Sequence, residues 1–351
     1  MEVYILLLLV LLINIFLETQ FINIKISNYR IETRKLSFTI CFLYILTIGI
    51  MRSESLGVDV DIYRNYFLNI YPNADIRFFL NNSNYDIAYV IFNKIVKLFT
   101  GNFRIFEIII YCINFGIFSL IIFKESKCTA LSFLIYIGLD FIGFNMSILR
   151  QSIACVLCFL AYHCLDNNKK INYFILVLLA TLFHKTAILF LLTYLLSYNR
   201  KEVTSFKSKI ILILLSFIGF NLILPKVYSL YRIDYSDITV TGQGLKLLIF
   251  YIISMLIVGI ILKINKSEDE VKKYESSCGA IYIQMGALSF SLFTRITRYF
   301  TILFTLSIPN IIYKSKYRKA FILIYSLMFS FLFIYNLYRN EMNIVPFKLF
   351  I

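Results

Sequence analysis

Charged residues are scarce in this chain of 351 residues: only 16% are Asp, Glu, Lys or Arg, and 60% are apolar. The mean hydropathy is +0.78, and apolar runs recur from one terminus to the other. A single water-soluble core cannot hold that much Ile, Leu and Phe, whereas a bilayer accommodates many spans of about 20 apolar residues each. The composition therefore excludes a soluble globular domain and predicts an integral membrane protein.

The chain also lacks the short motifs that bind nucleotides or carry out common hydrolytic chemistry. It contains no phosphate-binding P-loop, no Gly-x-Gly-x-x-Gly, no His-Glu-x-x-His and no Gly-x-Ser-x-Gly. We therefore expect neither a cofactor nor ATP. The net charge of +15 would suggest a nucleic-acid partner in a soluble chain, but here the basic residues are distributed among short loops, so no nucleic acid is expected.

Histidine is rare, with two residues, and cysteine is odd in number, with seven. All seven cysteines fall in or at the ends of apolar runs, and an odd number cannot pair completely, so we interpret them as small core residues. Cys155-x-x-Cys158, with His163 and Cys164 nearby, could be drawn as a metal site, but it lies within one expected membrane helix. We favour packing over ligation there and predict no metal.

The apolar runs predict an all-α, polytopic integral membrane protein, a single membrane-embedded domain over residues 1–351 with about 11 to 12 transmembrane helices. The first run is followed by no small-residue cleavage site and is preceded by Glu2, so we interpret it as a retained span rather than a cleaved signal peptide. The expected spans are 3–17, 36–51, 104–123, 128–144, 149–165, a pair within 171–197, 210–224, 245–262, 277–293, 299–313 and 320–338.

The basic residues predict how these spans are oriented. The segment 171–197 is apolar except at His184-Lys185-Thr186 and has basic clusters on both flanks, so a helical hairpin with its tip at His184 keeps both clusters in the cytoplasm. The amino terminus is then outside. Six short loops hold more than half of the 35 Lys and Arg residues and are expected in the cytoplasm: 18–35, 124–127, 166–170, 198–209, 263–276 and 314–319.

Polar segments collect on the opposite, outer face. The largest is the loop 52–103, within which residues 85–99 interleave polar and apolar positions and predict an amphipathic helix lying on the membrane surface. Other outer segments are the turn 145–150, the loop 225–244 and the carboxyl-terminal tail. Basic residues held outside, against the usual bias, cost insertion free energy and therefore indicate a functional role.

The candidates for acid–base chemistry are Asp59, Asp61 and His184. Asp59 and Asp61 follow Gly57 in the first outer loop, where such a pair serves as a general base, as part of a divalent-metal site, or as the rim of a solvated loop. His184 tips an otherwise apolar hairpin, where an imidazole can accept a proton or contact a phosphate near neutral pH. A capping or packing histidine is the alternative there.

Arginines on the outer face are the candidates for binding an anion. Arg150 and Gln151 begin a span, where the free amides of a helix start and a guanidinium both attract anions. Arg295 and Arg298 lie three residues apart, so that on one helix face their two forks would suit a diphosphate. The alternative for each is an interfacial anchor. The other candidate substrate-binding residues are Arg52, Tyr63, Lys185 and Arg232.

Four segments together resemble a known family. In order and spacing they resemble the EpsG-like, Wzy-type polysaccharide repeat-unit polymerases, and the Arg-Gln-x-x-Ala and Phe-His-Lys-Thr-Ala elements are the most specific. The chain departs from the more familiar O-antigen polymerases in lacking a His followed by Glu-Gly in a large late outer loop. The segments are Arg52 with Gly57-Val-Asp59 and Tyr63, Leu149-Arg150-Gln151-Ser-Ile-Ala154, Leu179-Ala-Thr-Leu-Phe-His184-Lys-Thr-Ala187, and Asn343-Ile-Val-Pro346-Phe347.

The resemblance implies an enzyme of the bacterial cytoplasmic (inner) membrane. It would transfer a growing glycan (O-antigen, capsule or exopolysaccharide) from undecaprenyl diphosphate onto the next lipid-linked repeat unit, at the outer face. Its expected partners are undecaprenyl-diphosphate-linked oligosaccharides and membrane lipids, with a chain-length regulator and a flippase as further candidates. The resemblance leaves the identity of the catalytic base open.

Two other functions stay open at this level. A lipid-linked-sugar glycosyltransferase of the GT-C kind would share the outer acids and the many spans, and often uses a metal held by the acids of the first loop. A flippase or exporter would carry charged residues inside its bundle and two similar halves. No internal repeat is found and the charges cluster outside, which favours an enzyme.

Overall fold

Helices form nearly all of the regular structure, in a computed structural model that describes residues 1–20, 23–26, 29–70, 85–197, 202–223, 243–265 and 270–350. The chain folds into two compact units. Unit 1 comprises Met1–Ile188 and Tyr317–Ile351, and unit 2 comprises Leu189–Lys316.

Unit 1 contains helices and one short hairpin of two strands, in which Asn23 pairs with Glu32 and Ile26 with Tyr29 in antiparallel register. Its elements before unit 2 are α1 (Glu2–Gln20), β1 (Asn23–Ile26), β2 (Tyr29–Glu32), α2 (Thr33–Met51), α3 (Val60–Leu68), α4 (Ile87–Phe99), α5 (Phe103–Glu125), α6 (Thr129–Gly138), α7 (Phe141–Ser147), α8 (Leu149–Asp166) and α9 (Lys170–Phe183).

Unit 2 packs around a helix that is largely buried, Val271–Gln284. A 3-10 helix over Lys185–Leu191 leads into it from unit 1. Its α-helices are α10 (Leu192–Ser197), α11 (Phe206–Phe217), α12 (Gln243–Asn265), α13 (Val271–Gln284), α14 (Leu292–Thr301) and α15 (Phe304–Tyr313), and the chain then returns to unit 1 with α16 (Arg318–Arg339).

Five helices in the described ranges are long and apolar enough to cross a membrane: α1, α2, α5, α12 and α16. Helices α6 and α7 pass the same test together as one span bent by 58°. The bend lies at Asp140, whose φ of 61° cannot continue a right-handed helix. These six correspond to six of the expected spans, which confirms a polytopic helical membrane protein. The expected count of about 11 to 12 is not confirmed, because the other spans correspond to shorter or less apolar helices.

The first helix shows which solvent its outer face meets. Tyr4, Leu7 and Leu11 are fully buried, while Leu9 and Ile13 on the other face are 51% and 59% exposed. A helix that is apolar on both its buried and its exposed faces suits a bilayer, since lipid solvates the outer face and all backbone hydrogen bonds stay within the helix.

One end of unit 1 is built around the carboxyl-terminal tail, and we call it the tail end. The Tyr4 hydroxyl donates to the carbonyl of Ile344 at 3.2 Å. The Ser53 amide donates to the carbonyl of Lys348 at 2.7 Å, and the Ser147 hydroxyl donates to that of Met342 at 2.8 Å. The amino terminus, the first outer loop, the turn before α8 and the tail therefore meet at this end.

The opposite end of unit 1, which we call the basic end, joins the other termini of the same helices. Arg34 donates through Nε to the carbonyl of Ser126 at 3.2 Å, and Lys319 donates to the Gln20 side chain at 2.8 Å. His163 pairs there with Glu125. The contacts thus group the loops of unit 1 as the basic-residue pattern predicts, while the side of the membrane that each end faces stays a prediction.

The predicted amphipathic segment 85–99 contains the helix α4. Tyr89 and Val90 on its inner face are fully buried, whereas Ile95, Leu98 and Phe99 are 49%, 65% and 85% exposed. An outer face of large apolar side chains is suited to lipid contact. The position of α4 on the membrane surface stays a prediction.

Candidate functional site

The start of α8 is held in place by packing at the tail end. Gly57 has a φ of 128°, and a Cβ there would lie 2.5 Å from Val60 Cγ2 and 2.9 Å from the carbonyl oxygen of Met146. Only glycine fits such a close approach at a positive φ. Its amide donates to the carbonyl of Asn343 at 3.1 Å, so the first outer loop is fixed against both the tail and the turn before α8.

Buried side-chain amides also hold the turn before α8 in place. Asn114, fully buried in α5, donates to the hydroxyl of Ser152 at 2.9 Å and to the side-chain oxygen of Asn145 at 3.3 Å. Asn145 in turn donates to the hydroxyl of Tyr136. Hydrogen bonds inside an apolar bundle are costly to break because each freed group is left without water. The network therefore sets where the first turn of α8, with Arg150, is placed.

Asp86, immediately before α4, is where three separate parts of unit 1 converge. Its Oδ2 lies 3.6 Å from Nη1 of Arg150, in the first turn of α8. The same oxygen lies 3.7 Å from Nδ1 of His184, which ends α9. Lys185 is close enough to act on Asp86 electrostatically. We call Asp86, Arg150, His184 and Lys185 the Asp86 cluster.

The cluster is partly screened from solvent. The side chain of Asp86 is 10% exposed, against 22% for Arg150 and 23% for His184. Burial raises the pKa of the Asp86 carboxyl above its ordinary value, although the positive charges of Arg150 and Lys185 act to lower it. A displaced pKa beside opposite charges is a property of functional sites more often than of surface ion pairs.

Tyrosines line one side of the cluster. The guanidinium of Arg150 lies 4.6 Å from the ring centroid of Tyr85, within cation–π distance, and Arg150 also hydrogen-bonds to Tyr63. The ring of Tyr85 in turn contacts that of Tyr66, with centroids 4.1 Å apart, and that of Tyr89, at 5.5 Å. These aromatic contacts fix the plane of the guanidinium that carries the charge.

The two predicted acids of the first outer loop occupy different surroundings. Asp59 precedes α3 and is half-buried, while Asp61 in the first turn of that helix is exposed. Burial raises the pKa of both Tyr63 and Tyr85, and the negative charge of Asp59 also acts to raise it, so Asp59 lies within electrostatic range of both tyrosines. Among the described residues, no group of three His, Cys, Asp or Glu side chains is arranged to hold a metal ion.

Arg52 is buried and paired inside unit 1, with a side chain 2% exposed. Its guanidinium donates to the carbonyl of Leu56 and to the carboxylate of Glu107. Arg104 binds the other oxygen of that carboxylate at 3.2 Å. Two arginines thus share one buried carboxylate, and the predicted role of Arg52 in binding diphosphate stays a prediction.

The other predicted binding residues lie elsewhere in the chain. Gln151 is buried in α8, next to Arg150 in sequence. Arg295 and Arg298 lie on α14 of unit 2, the first exposed and the second half-buried. Arg232 lies outside the described residues. Of the predicted site residues, the structure thus brings Tyr63, Arg150, His184 and Lys185 together.

Sequence reasoning missed Asp86 and Tyr85. The sequence pattern places Asp86 only among the polar positions of an amphipathic helix. Its contacts are with Arg150 and His184, which follow it by 64 and 98 residues in the chain. One local signal was present, since an Asp directly before an apolar helix is a typical amino-terminal cap. In the structure the Asp86 side chain makes no capping hydrogen bond, which leaves its carboxylate for the cluster.

Comparison with known proteins gives one family. The sequence model of the EpsG family matches residues 35–349 of this chain. That range includes the Asp86 cluster, Arg52 and the motif at residues 343–347. No curated protein and no solved structure matches the chain.

Proposed function

Since this chain belongs to the EpsG family, we propose that it is a glycosyltransferase that polymerises undecaprenyl-diphosphate-linked oligosaccharide repeat units at the outer face of the bacterial cytoplasmic membrane. Family membership indicates a polymerase-type role in polysaccharide biosynthesis. The leaving group, the substrate and the side of the membrane are our proposal. The product is a bacterial polysaccharide such as O-antigen, capsule or exopolysaccharide.

The observation that carries the proposal is the convergence of Arg150, His184 and Lys185 on Asp86 at the tail end of unit 1. A donor that departs as a lipid diphosphate needs cations where negative charge develops, and an acceptor hydroxyl needs a base within reach. The Asp86 cluster contains candidates for both roles. The reaction needs no nucleotide, in keeping with a chain that lacks nucleotide-binding motifs.

Arg150 is the residue best placed to bind the diphosphate. A guanidinium presents two parallel N–H donors to a pair of phosphate oxygens, and the contacts with Tyr63 and Tyr85 hold its plane. The start of α8 adds the free backbone amides of a helix amino terminus. Lys185, which is exposed, supplies a second positive charge.

The remaining candidates keep secondary places in this proposal. The pairing of Arg52 and Arg104 with Glu107 supports a structural role for Arg52 beneath the tail. Asp59, within electrostatic range of Tyr63 and Tyr85, is a candidate for contacting sugar hydroxyls, and Asp61 is a second. Arg295 and Arg298 stay candidates for the second lipid diphosphate that a polymerase must hold.

The proposed orientation places the tail end outside the cell. The basic end carries Arg34, Lys35, Lys124, Lys127 and Lys319, and segments rich in Lys and Arg stay in the cytoplasm. Undecaprenyl-linked repeat units would then reach the Asp86 cluster from the outer leaflet.

The test is glycan analysis of cells that carry Arg150→Ala, with Arg64→Ala as the control. Arg64 is an exposed arginine of the same outer segment and pairs with Glu54 at 3.6 Å. Loss of a preorganised positive charge beside the leaving group raises the activation free energy by about 2–4 kcal/mol, which lowers the rate by about thirtyfold to a thousandfold. We expect single repeat units and little long polymer from Arg150→Ala, and normal polymer from the control.

Other products of the same experiment identify the rival functions. A repeat unit one sugar short would indicate a GT-C type glycosyltransferase. Lipid-linked units retained on the cytoplasmic leaflet would indicate a flippase or exporter. Either result, at normal protein level, contradicts a polymerase.

A further inference from the structure

We propose that Asp86 is a positioning residue that acts through His184, which makes His184 the general base of the transfer. This inference rests on the proposed function, because it assigns the base within the same site. The Asp86 carboxylate would hold the imidazole with its proton on Nδ1. The other ring nitrogen, Nε2, would then carry the lone pair that accepts the proton of the acceptor hydroxyl.

The geometry favours His184 over Asp86 as the group that meets the substrate. The atom of His184 that faces Asp86 Oδ2, at 3.7 Å, is Nδ1, so Nε2 lies on the far side of the ring. His184 is also more exposed than Asp86, 23% against 10%. The carboxylate thus lies behind the imidazole at ion-pair distance. A hydrogen bond formed across that distance would orient the ring, as an acid orients a histidine base in other sites.

The backbone at His184 also suits this arrangement. Helix α9 ends at Phe183, His184 adopts an extended conformation with φ −158° and ψ 113°, and a 3-10 helix begins at Lys185. The His184 amide still donates to the carbonyl of Ala180 at 2.9 Å. The side chain therefore projects from a break in the helix while its backbone stays anchored.

The charges around the imidazole require an acid. Arg150 from α8 and Lys185 from the next position are both positive, and Asp59 is a further acid near Tyr85. A histidine that gains a proton beside two cations becomes a third positive charge. The Asp86 carboxylate offsets that charge as it forms, so its removal should slow the proton transfer even though it never touches the substrate.

The step balances without any further reactant. The oxygen of the acceptor hydroxyl forms a bond to the anomeric carbon of the donor sugar, and its proton passes to His184 Nε2. The bond between that carbon and the diphosphate oxygen breaks, and its electron pair leaves with the lipid diphosphate, beside Arg150. The imidazolium then returns its proton to water.

The first test is a set of double-mutant cycles on the full-length protein in lipid vesicles, with initial rates measured on a lipid-linked repeat unit. We expect Asp86→Asn and His184→Gln each to lower the rate by about a hundredfold or more. The double variant should be no slower than His184→Gln alone, because both changes disable one unit. The control is Glu54→Gln, which removes a carboxylate from the same loop, 52–103, and should leave the rate unchanged.

Two kinetic outcomes overturn the inference. If the losses from Asp86→Asn and His184→Gln multiply, Asp86 acts independently of the imidazole. If Asp86→Asn has its full effect in the His184→Gln background but none in an Arg150→Gln background, Asp86 serves Arg150 alone. Asp86→Glu should retain part of the rate, since it keeps a carboxylate within reach of the ring.

A spectroscopic readout separates this inference from the proposed function. The chain has only two histidines, so 15N-histidine spectra of the His163→Gln protein in nanodiscs report on His184 alone. We expect the neutral ring to carry its proton on Nδ1, and Asp86→Asn to abolish that preference. A ring protonated on Nε2 and indifferent to Asp86→Asn overturns the dyad. Wild-type protein that polymerises nothing while its spectra show the dyad would overturn the function instead.

Discussion

Arg150 depends on its shape as well as on its charge. Its planar group lies over the Tyr85 ring, hydrogen-bonds to Tyr63 and points one nitrogen toward Asp86. An ammonium group is a compact point charge that cannot stack on a ring or bind two phosphate oxygens in parallel. A lysine at position 150 would therefore keep the positive charge but lose the bidentate recognition of phosphate.

We predict that Arg150→Lys lowers polymer formation by at least about tenfold, since the bidentate contact and the planar stacking on Tyr85 are lost. Polymer length and amount, measured at matched protein level, provide the check. Arg64→Lys is the control, because Arg64 is exposed and outside the cluster. Full-length polymer from Arg150→Lys would reduce Arg150 to an anchor at the membrane interface.

Other arginines in the same unit are buried and paired, which supports a structural role for them. Arg52 and Arg104 share Glu107 where all three side chains are almost fully buried. Removing the Glu107 carboxylate would leave two buried guanidinium groups that neither water nor a counter-ion stabilises. Basic residues near the predicted outer face therefore divide into those that hold the bundle together and those, such as Arg150, that remain accessible.

At the scale of elements, the site depends on how the first outer loop packs. Gly57 lies between the start of α3 and the turn that precedes α8, and it binds the tail through its amide. A side chain at this position would push apart three segments that meet at the tail end. Because the loop contacts both the tail and the turn before α8, the position of the tail affects that of the helix that carries Arg150.

We predict that Gly57→Ala destabilises the protein by about 1–3 kcal/mol, through its positive φ and its contacts with Val60 and Met146. Thermal unfolding of the purified protein in detergent measures the effect. The matched control is Gly101→Ala, where an added Cβ meets nothing within 4 Å. Equal unfolding temperatures for the two variants would contradict the close packing at Gly57.

The helix break at His184 places two polar side chains near the candidate site. The predicted break in 171–197 is observed, because α9 ends at Phe183 and a 3-10 helix starts at Lys185. The return of the second half as an antiparallel hairpin stays a prediction. Breaking an apolar helix at a polar pair brings His184 and Lys185 to the tail end beside Arg150.

At the scale of the whole molecule, the two ends of unit 1 predict a membrane topology. We expect labelling of introduced cysteines with a membrane-impermeant reagent to reach positions 62, 184 and 345 from outside. Positions 30, 205 and 316 should react only after the membrane is opened, because they lie in the basic loops. Finding 184 and 205 on the same side would contradict the hairpin, and finding 62 and 345 on opposite sides would contradict the tail end as described.

The sequence by itself determined the class of molecule, most of its long spans and its family. Those features are local, since a run of about 20 apolar residues specifies a membrane helix whatever surrounds it. The matched motifs likewise occupy short stretches such as Leu149–Ala154. The six spans found among the described residues all correspond to runs visible in the sequence.

Only the tertiary structure decided which polar residues share a site. Asp86 meets Arg150 and His184 because the starts of α4 and α8 and the end of α9 lie at the same end of unit 1, and no sequence spacing states that. The division into two units and the burial of Arg52 against Glu107 were likewise not visible in the sequence. The physical reason is that a charge in an apolar bundle must find a partner wherever packing puts one, and packing is set by contacts between distant segments.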